Sequence, residues 1–513
     1  MRITRRNAIG LLGAAVPAAT LKRAFAAQLA GTEIQKGPFQ ATRESLKTYR
    51  APEWFRDAKF GIWAHWGPQS AAEYGDWYAR NMYMEGSRQY KYHVARYGHP
   101  SKFGFKDIIP TWKGARFDPG HLMELYKQAG AKYFVSMGVH HDNFDLWNSR
   151  HTRWNSVNMG PKMDIVGMFR KAALKQGLRF GVSDHLWISY KWFSVSHGSD
   201  KTGPSAGVPY DGTDPQYADL YHDVKEIYEK LPWDDEGIPD SWKRHWLLRI
   251  KDLVDQYEPD LVYQDGAIPF EDYGLNLVAH LYNQSAGLHG GRVEAVYTSK
   301  RLEDCQAGTC VFDVERGVVD KVWPEPWQTC TCVGDWHYNR EAHYKSPKIV
   351  IDMLVDIVSR NGNLLLNFPL PNNGELDAEE LKILSEITKW TTVNGEAIYG
   401  TRPWKIFGES PGAQVQSGER FNERARKPFT AEDVRFTTKG KTLYAFVMGC
   451  PEKEALIRPL ATAGTLGVGR VRKVELLGFQ GKLKWAQDAA GLRVQMPPEK
   501  PCDHAIALKV IGA

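Results

Sequence analysis

Between about residues 55 and 400 the chain alternates short apolar runs with amphipathic stretches, the pattern of repeated strand–helix units. The runs FGIWAHWG (60–67), AKYFVSMGV (131–139), LRFGVSDHL (178–186), DLVYQDG (260–266), RVEAVYTS (292–299) and GNLLLNF (362–368) predict strands. MDIVGMFRKAALKQG (163–177) predicts a helix, because Ile165, Met168, Phe169, Ala172 and Ala173 fall on one face and Gly177 stops it. A second helix is predicted from about Ser241 to Tyr257, ending before Pro259, which cannot continue it. Residues 196–239, rich in Gly, Pro, Asp and Ser, read as a long excursion over one end of the assembly. Past about residue 405 the period changes. VRFTTKGKTLYAFVMG alternates around a Lys-Gly-Lys turn as a hairpin does, and VRKVELLGFQGKLKWAQDAAGLRVQM repeats the pattern with further glycine turns. A chain of 513 residues exceeds one ordinary core. The expected fold is therefore α/β: a (β/α)8-like (TIM-type) barrel over residues 32–404, followed by a C-terminal antiparallel β-sandwich over 405–513.

The first 26 residues stand apart. A basic start, MRITRR, precedes the apolar stretch AIGLLGAAVPAA and the small-residue pattern Ala24-Phe25-Ala26, as in an export signal. Arg5-Arg6 suggests twin-arginine export, and an ordinary secretory signal fits nearly as well. Either route makes the mature protein periplasmic or secreted, and no later apolar run is long enough to span a membrane. The formal charge of +6 includes five basic residues of this segment, Arg2, Arg5, Arg6, Lys22 and Arg23, so the rest carries only +1. That removes any electrostatic case for a nucleic-acid partner. Six cysteines could pair outside the cytoplasm, but their spacing, Cys305 to Cys310 and Cys330 to Cys332, is a poor match to a zinc knuckle. The 18 tryptophans exceed what core packing requires and suit a site that stacks on flat apolar faces, such as those of sugars.

Polar residues end the predicted strands: His65 after FGIWA, His140 and His141 after FVSMGV, Asp184 and His185 after FGVS, and Asp265 after LVYQ. In a parallel barrel the chemistry collects at those C-terminal ends. Blander readings exist, since Asp265-Gly266 is also a common turn dipeptide and a lone His65 could be a hydrogen-bonded core residue. Two histidines and an aspartate also suit zinc. Against this, adjacent residues at a strand end point to opposite sides, and no His-x-His or His-Glu-x-x-His spacing is present, so metal-free chemistry without a cofactor is expected. Two carboxylates meeting across a sugar would supply it. Asp265 is one. Glu315, in the polar stretch VFDVERG where a mobile acid could reach over the mouth, is the best candidate for the second, with Glu294, Glu303, Asp313 and Glu325 as rivals.

The segments WFRDAKFGIWAHWG, GDWYARNMY, AKYFVSMGVHHDNFDLWNS and YEPDLVYQDG resemble those of the α-L-fucosidases of glycoside hydrolase family 29. So does VDIVSRNGNLLLNFPL followed by NGEAIYGTRPW, and the likeness covers roughly residues 45–450. The resemblance implies that Asp265 is the nucleophile and Glu315 the acid/base. It also implies a sugar subsite lined by Trp63, His65, Asp76, Trp77, His140, His141 and His185. Family members are retaining and need no metal, so it implies an exported exo-glycosidase that removes terminal α-L-fucose from fucosylated oligosaccharides or glycoconjugates. A sugar-binding homologue without turnover and a glycosidase for a related sugar are the alternatives. There are departures from the family pattern: Asp76 replaces a common Glu, Asn143 a Gly, and Ser183-Asp184-His185 a Tyr-Tyr-Ser. Lys300 or Arg301 stands loosely where the family has Arg, and Trp327-Gln328 replaces Trp-Glu.

Overall fold

The computed structural model describes residues 31–411, 421–425 and 427–513, so the export signal expected at 1–26 lies outside the described residues. Eight parallel strands close into a barrel in chain order. They are β1 (Phe60–Ala64), β2 (Tyr133–Val139), β3 (Arg179–Asp184), β4 (Leu261–Gln264), β5 (Val296–Ser299), β6 (Val311–Glu315), β7 (Trp327–Cys332) and β8 (Gly362–Asn367). Closure is made by β1 against β8, with Gly61 opposite Leu365 and Trp63 opposite Asn367. Strands β1, β2, β4, β5, β7 and β8 are buried at every position, because helices cover the outer face while side chains fill the interior. This double burial explains why the apolar runs in the sequence are nearly continuous. The predicted runs 60–67, 178–186 and 260–266 extend past β1, β3 and β4, and the surplus residues lie at the barrel mouth, while the run 131–139 ends with β2.

Strands β6 and β7 are not foreseen by the apolar pattern. β7 reads WQTCTC, yet all six residues are buried, because its polar side chains are satisfied inside the wall. Gln328 accepts from the Tyr133 hydroxyl (2.9 Å) and donates to Asp313 (2.8 Å), while the Thr329 hydroxyl lies 2.6 Å from the Val314 carbonyl oxygen. A consequence is a correction to the placement of Glu315. It is the last residue of β6, held in register opposite Cys330, rather than part of a mobile polar stretch.

The helix predicted at 163–177 forms over Ile165–Lys175, its start capped by Asp164, whose side chain accepts from the Gly167 amide. The second predicted helix spans Asp240–Tyr257. Further long helices cover Asp272–Leu288, Pro347–Ser359 and Ala378–Asn394, the last begun by an Asp377/Glu380 capping box. Asn143, where the resemblance leads one to expect glycine, has φ of 61°, a left-handed conformation that Asn tolerates better than most residues. Its side-chain amide donates to the carbonyls of Asp219 and Leu220, tying the β2 loop to the long excursion.

The C-terminal part contains two antiparallel sheets. One has the order β13 (Lys473–Leu476), β16 (Ile506–Ile511), β11 (Thr442–Val447), β10 (Val434–Lys439), β9 (Arg402–Glu409). The other runs β12 (Glu454–Ile457), β15 (Gly491–Gln495), β14 (Trp485–Asp488). Phe436, Leu443, Leu508, Ile457, Leu492 and Val494 form a shared core between them, which makes the pair a sandwich. The sandwich is fastened to the barrel by the Trp390 indole donating to the Ala505 carbonyl (2.7 Å) and by buried Asp356, which pairs with Arg360 (3.1 Å) and Arg435 (2.5 Å). All six cysteines are free thiols, with Cys305 and Cys310 sulfurs 3.7 Å apart, and no helix among the described residues is long and apolar enough to cross a membrane.

Candidate active site

A cavity of about 510 Å³ opens at the C-terminal ends of the barrel strands. Trp63, His65, Asp76, Trp77, His140, His141, His185, Asp265 and Glu315, the residues that the resemblance implies, all line it, and the rival acids Glu294, Glu303, Asp313 and Glu325 do not. Asp184, the remaining strand-end acid, does not: it is fully buried and accepts from the Trp246 indole and the Leu186 amide, both at 2.8 Å.

Asp265 directly follows β4. Its backbone is pinned on both sides, the amide donating to the Asp184 carbonyl (2.9 Å) and the carbonyl accepting from the Trp187 indole (2.7 Å). Gly266 has φ of +138°, and a Cβ there would meet the Trp187 ring nitrogen at 3.0 Å, so this position requires glycine. The Asp-Gly pair is thus a turn and a site at once: Gly266 makes the bend and the Asp265 carboxylate faces the cavity. One carboxylate oxygen lies 3.0 Å from His185 Nδ1 and 3.4 Å from His141 Nε2, and the other accepts from the Lys300 ammonium. Burial opposes ionisation of Asp265, but Lys300 and the two histidines outweigh it and hold the carboxyl well below its usual range.

Lys300 follows β5, and its ammonium also donates to Glu315 Oε2 at 2.5 Å. One buried cation therefore touches both acids. Burial would lower its pKa, yet the flanking Asp265 and Glu315 carboxylates raise it well above the ordinary value, so it stays charged. Since a single nitrogen contacts an oxygen of each acid, those oxygens lie no further apart than two hydrogen-bond lengths, roughly 6 Å.

The histidines are polarised by their neighbours. His65 Nδ1 faces Asn367 Oδ1 (3.3 Å), and that amide is oriented by its NH2 donating to the Trp336 carbonyl (2.8 Å). Nδ1 of His65 is then the donor and Nε2 an acceptor. His140 is the reverse: Gln69 accepts from the Ala79 amide (3.4 Å), turning its NH2 toward His140 Nδ1 (3.0 Å), so His140 Nε2 carries the proton. Burial first, and then the crowd of neighbouring imidazoles, pushes both pKa values well below 6.5, keeping both rings neutral. One ring offers an acceptor and one a donor. His65, His140 and His185 each bring a ring nitrogen within 4.8 Å of the others, as do the ligand atoms of Asp76, His140 and His337, and of His141, His185 and Asp265. The proton on His140 Nε2, and the engagement of both His185 nitrogens by Asp265 and Ser183 (3.2 Å), fit these groups to hydroxyls better than to a cation.

Several cavity residues escape the sequence reading: Trp233, Tyr263, Trp336 and Phe421, with Lys300 noted only as a loose counterpart of an arginine. His337 sits just behind the lining, fully buried, with Nδ1 2.6 Å from Asp76 Oδ1. Trp336 and His337 come from the loop after β7, which ends at Cys332, whereas His65 directly follows β1, so recognising β7 as a strand points to their loop.

Two family models match the chain: "Alpha-L-fucosidase" over residues 26–396 and "Alpha-L-fucosidase C-terminal domain" over residues 426–511. Among curated proteins, the tissue α-L-fucosidase of Bos taurus is 29% identical, covering 91% of this chain and 90% of the relative. The plasma α-L-fucosidase of Homo sapiens is 28% identical, with 92% of each covered. The solved structure of Thermotoga maritima α-fucosidase in complex with fucose superposes with a TM-score of 0.68 at 23% identity, covering 92% of this chain and 100% of that one. α-L-Fucosidase isoenzyme 1 from Paenibacillus thiaminolyticus gives 0.63 at 20%, with 92% and 100% covered. The two structures share the architecture of barrel and C-terminal sheets.

Proposed function

The chain belongs to the α-L-fucosidase family of glycoside hydrolases, and from that premise we propose that it removes terminal α-L-fucose from glycans with retention of configuration. Asp265 attacks C1 of the sugar while Glu315, protonated from solvent once it leaves Lys300 for the substrate, gives that proton to the departing glycosidic oxygen. The C1–O bond to the leaving group breaks as the C1–O bond to Asp265 forms, giving a covalent fucosyl-enzyme and a free alcohol. Glu315, now a carboxylate, takes a proton from water; the water oxygen attacks C1, and Asp265 leaves as carboxylate.

The observation that carries this reading is the Asp265–Lys300–Glu315 bridge. Retaining enzymes hold their two acids about 5–5.5 Å apart and inverting ones about 6.5–9.5 Å, and one shared ammonium favours the shorter class. Lys300 also keeps Asp265 ionised, as a nucleophile must be. His65 and His140, one accepting and one donating, suit the alternating demands of sugar hydroxyls, with His141, His185, Asp76 and Trp77 completing the ring of contacts. Trp63, Tyr263 and Trp336 supply an apolar wall for the C6 methyl group, a contact worth only about 1–3 kcal/mol, so some turnover of related sugars is expected. The basic and apolar pattern of residues 1–26 supports a periplasmic or secreted enzyme.

A panel of aryl glycosides tests the assignment. The α-L-fucoside is expected to be the best substrate, and early NMR spectra should show α-L-fucose as the first product. A preference for another sugar, or β-L-fucose appearing first, would overturn it.

A further inference from the structure

Two aromatic side chains at the cavity rim have no structural reason to face water. Among the described residues, the large apolar side chains that are exposed are mostly aliphatics such as Val94, Leu174 and Leu381. The exposed aromatics are Trp233 and Phe421, each 56% exposed, and both line the cavity that holds Asp265 and Glu315. Exposed apolar surface gathered at a site mouth marks something that covers it.

Phe421 comes from the segment between β9 and β10, outside the barrel, and reaches the acid directly. Its amide donates to the Glu315 carbonyl (3.0 Å), and the Glu423 amide donates to the next carbonyl, that of Arg316 (2.9 Å). Asn422 exchanges two side-chain hydrogen bonds with the Val318 backbone, at 3.1 and 3.0 Å, and Glu423 pairs with Lys345 at 2.8 Å. Phe421 has φ of 63°, an uncommon conformation for phenylalanine, and these bonds hold it there. Trp233, on the same cavity, belongs to the long excursion and rests its ring 5.9 Å from Trp77 and 6.4 Å from Trp187. Beyond it lies a second space of about 260 Å³, lined also by Trp187 and Phe270.

We propose that Phe421 and Trp233 form the subsite for the sugar ring directly attached to fucose, so that the C-terminal part of the chain takes part in selecting the leaving group. This rests on the fucosidase reading above. With fucose inside and Glu315 protonating the glycosidic oxygen, the leaving group must extend outward past Glu315, over the residue bonded to its backbone. The rim pair is uncharged, and aromatic faces pack on the C–H faces of a pyranose, so the preferred leaving group is a neutral sugar ring within an oligosaccharide.

The test compares kcat/KM on a neutral α-L-fucosyl disaccharide with that on α-L-fucosyl fluoride, which carries the same sugar and no leaving-group ring. Phe421→Ala and Trp233→Ala should each lower the disaccharide-to-fluoride ratio about fivefold to tenfold, and Phe421→Tyr, which keeps a ring, should restore it to within about twofold of wild type. An unchanged ratio in the alanine variants would overturn the proposal. If both rates fell together, Phe421 would serve only to hold the Glu315 backbone; if neither fell, the ring would touch nothing that matters. A wild-type chain that hydrolyses neither substrate would overturn the fucosidase reading, and this subsite with it.

Discussion

The β4 side of the barrel mouth and the β6 side hold their carboxylates differently. Asp265 is gripped by His141, His185 and Lys300 at its side chain and by Asp184 and Trp187 at its backbone. The Glu315 carboxylate has one hydrogen-bonded side-chain partner among the described residues, Lys300, while its backbone is held in β6 opposite Cys330 and, at its carbonyl, by the Phe421 amide. The carboxylate side chains are equally exposed, at 16%, so the contrast lies in constraint rather than solvent access. A nucleophile gains from being fixed and permanently ionised. In the proposed mechanism Glu315 must give a proton and then take one back, which favours a partner it can release, and Lys300 can fall back on Asp265 when Glu315 turns to the glycosidic oxygen.

The contrast can be broken most severely at Asp265. Asp265→Ala should lower turnover of any α-L-fucoside by on the order of 10⁴-fold or more, measured as kcat on an aryl fucoside, since it removes the proposed nucleophile. Glu315→Ala should cost about 10²- to 10⁴-fold on a substrate with a poor leaving group and far less on an activated aryl fucoside. Equal loss on both would deny Glu315 its role as acid.

Lys300→Met separates the two sides. Without the ammonium, burial is left less opposed at Asp265, whose pKa should rise. The acid limb of the kcat/KM profile then moves to higher pH, and activity drops on the order of tenfold at pH 5 while falling less at pH 7. A limb that stays in place would show that Lys300 does not set the ionisation of Asp265.

The smallest effect belongs to Asp184, which lies next to the site without facing it. Burial raises its pKa to about 7, with the Leu186 amide and Trp246 indole pulling the other way. A carboxyl whose folded pKa lies above its unfolded value contributes stability at low pH and loses it as pH rises through the folded value. The difference in Tm between Asp184→Asn and wild type should therefore shift in favour of the variant, by about a degree or two, between pH 5 and pH 8. A difference that is flat across this range would place the Asp184 pKa elsewhere.

The same division governed what could be read from the sequence. On the side of β1 to β4, long apolar runs stop at His65, His140, His141, His185 and Asp265, and the parallel-barrel rule gathers these ends at one mouth. On the side of β6 and β7 the wall itself is polar: Gln328 donates to Asp313 and the Thr329 hydroxyl to the Val314 carbonyl inside it, so periodicity shows no strand there. A pattern that shows no β6 or β7 leaves Glu315 in a loop and Trp336 and His337 unmarked. The Lys300 bridge depends on how closely β5 and β6 end, and Trp233 and Phe421 arrive from segments distant in sequence. Both are tertiary facts with no local signature.

Incubation with a 2-deoxy-2-fluoro-α-L-fucosyl fluoride, followed by proteolysis and mass spectrometry, tests the central claim most directly. The fluorine slows release of the covalent intermediate, so the fluorofucosyl group is expected on the peptide containing Asp265, with activity lost in proportion to labelling. A label on a different carboxylate, or turnover of the compound without any covalent species, would contradict the assignment of Asp265 as nucleophile.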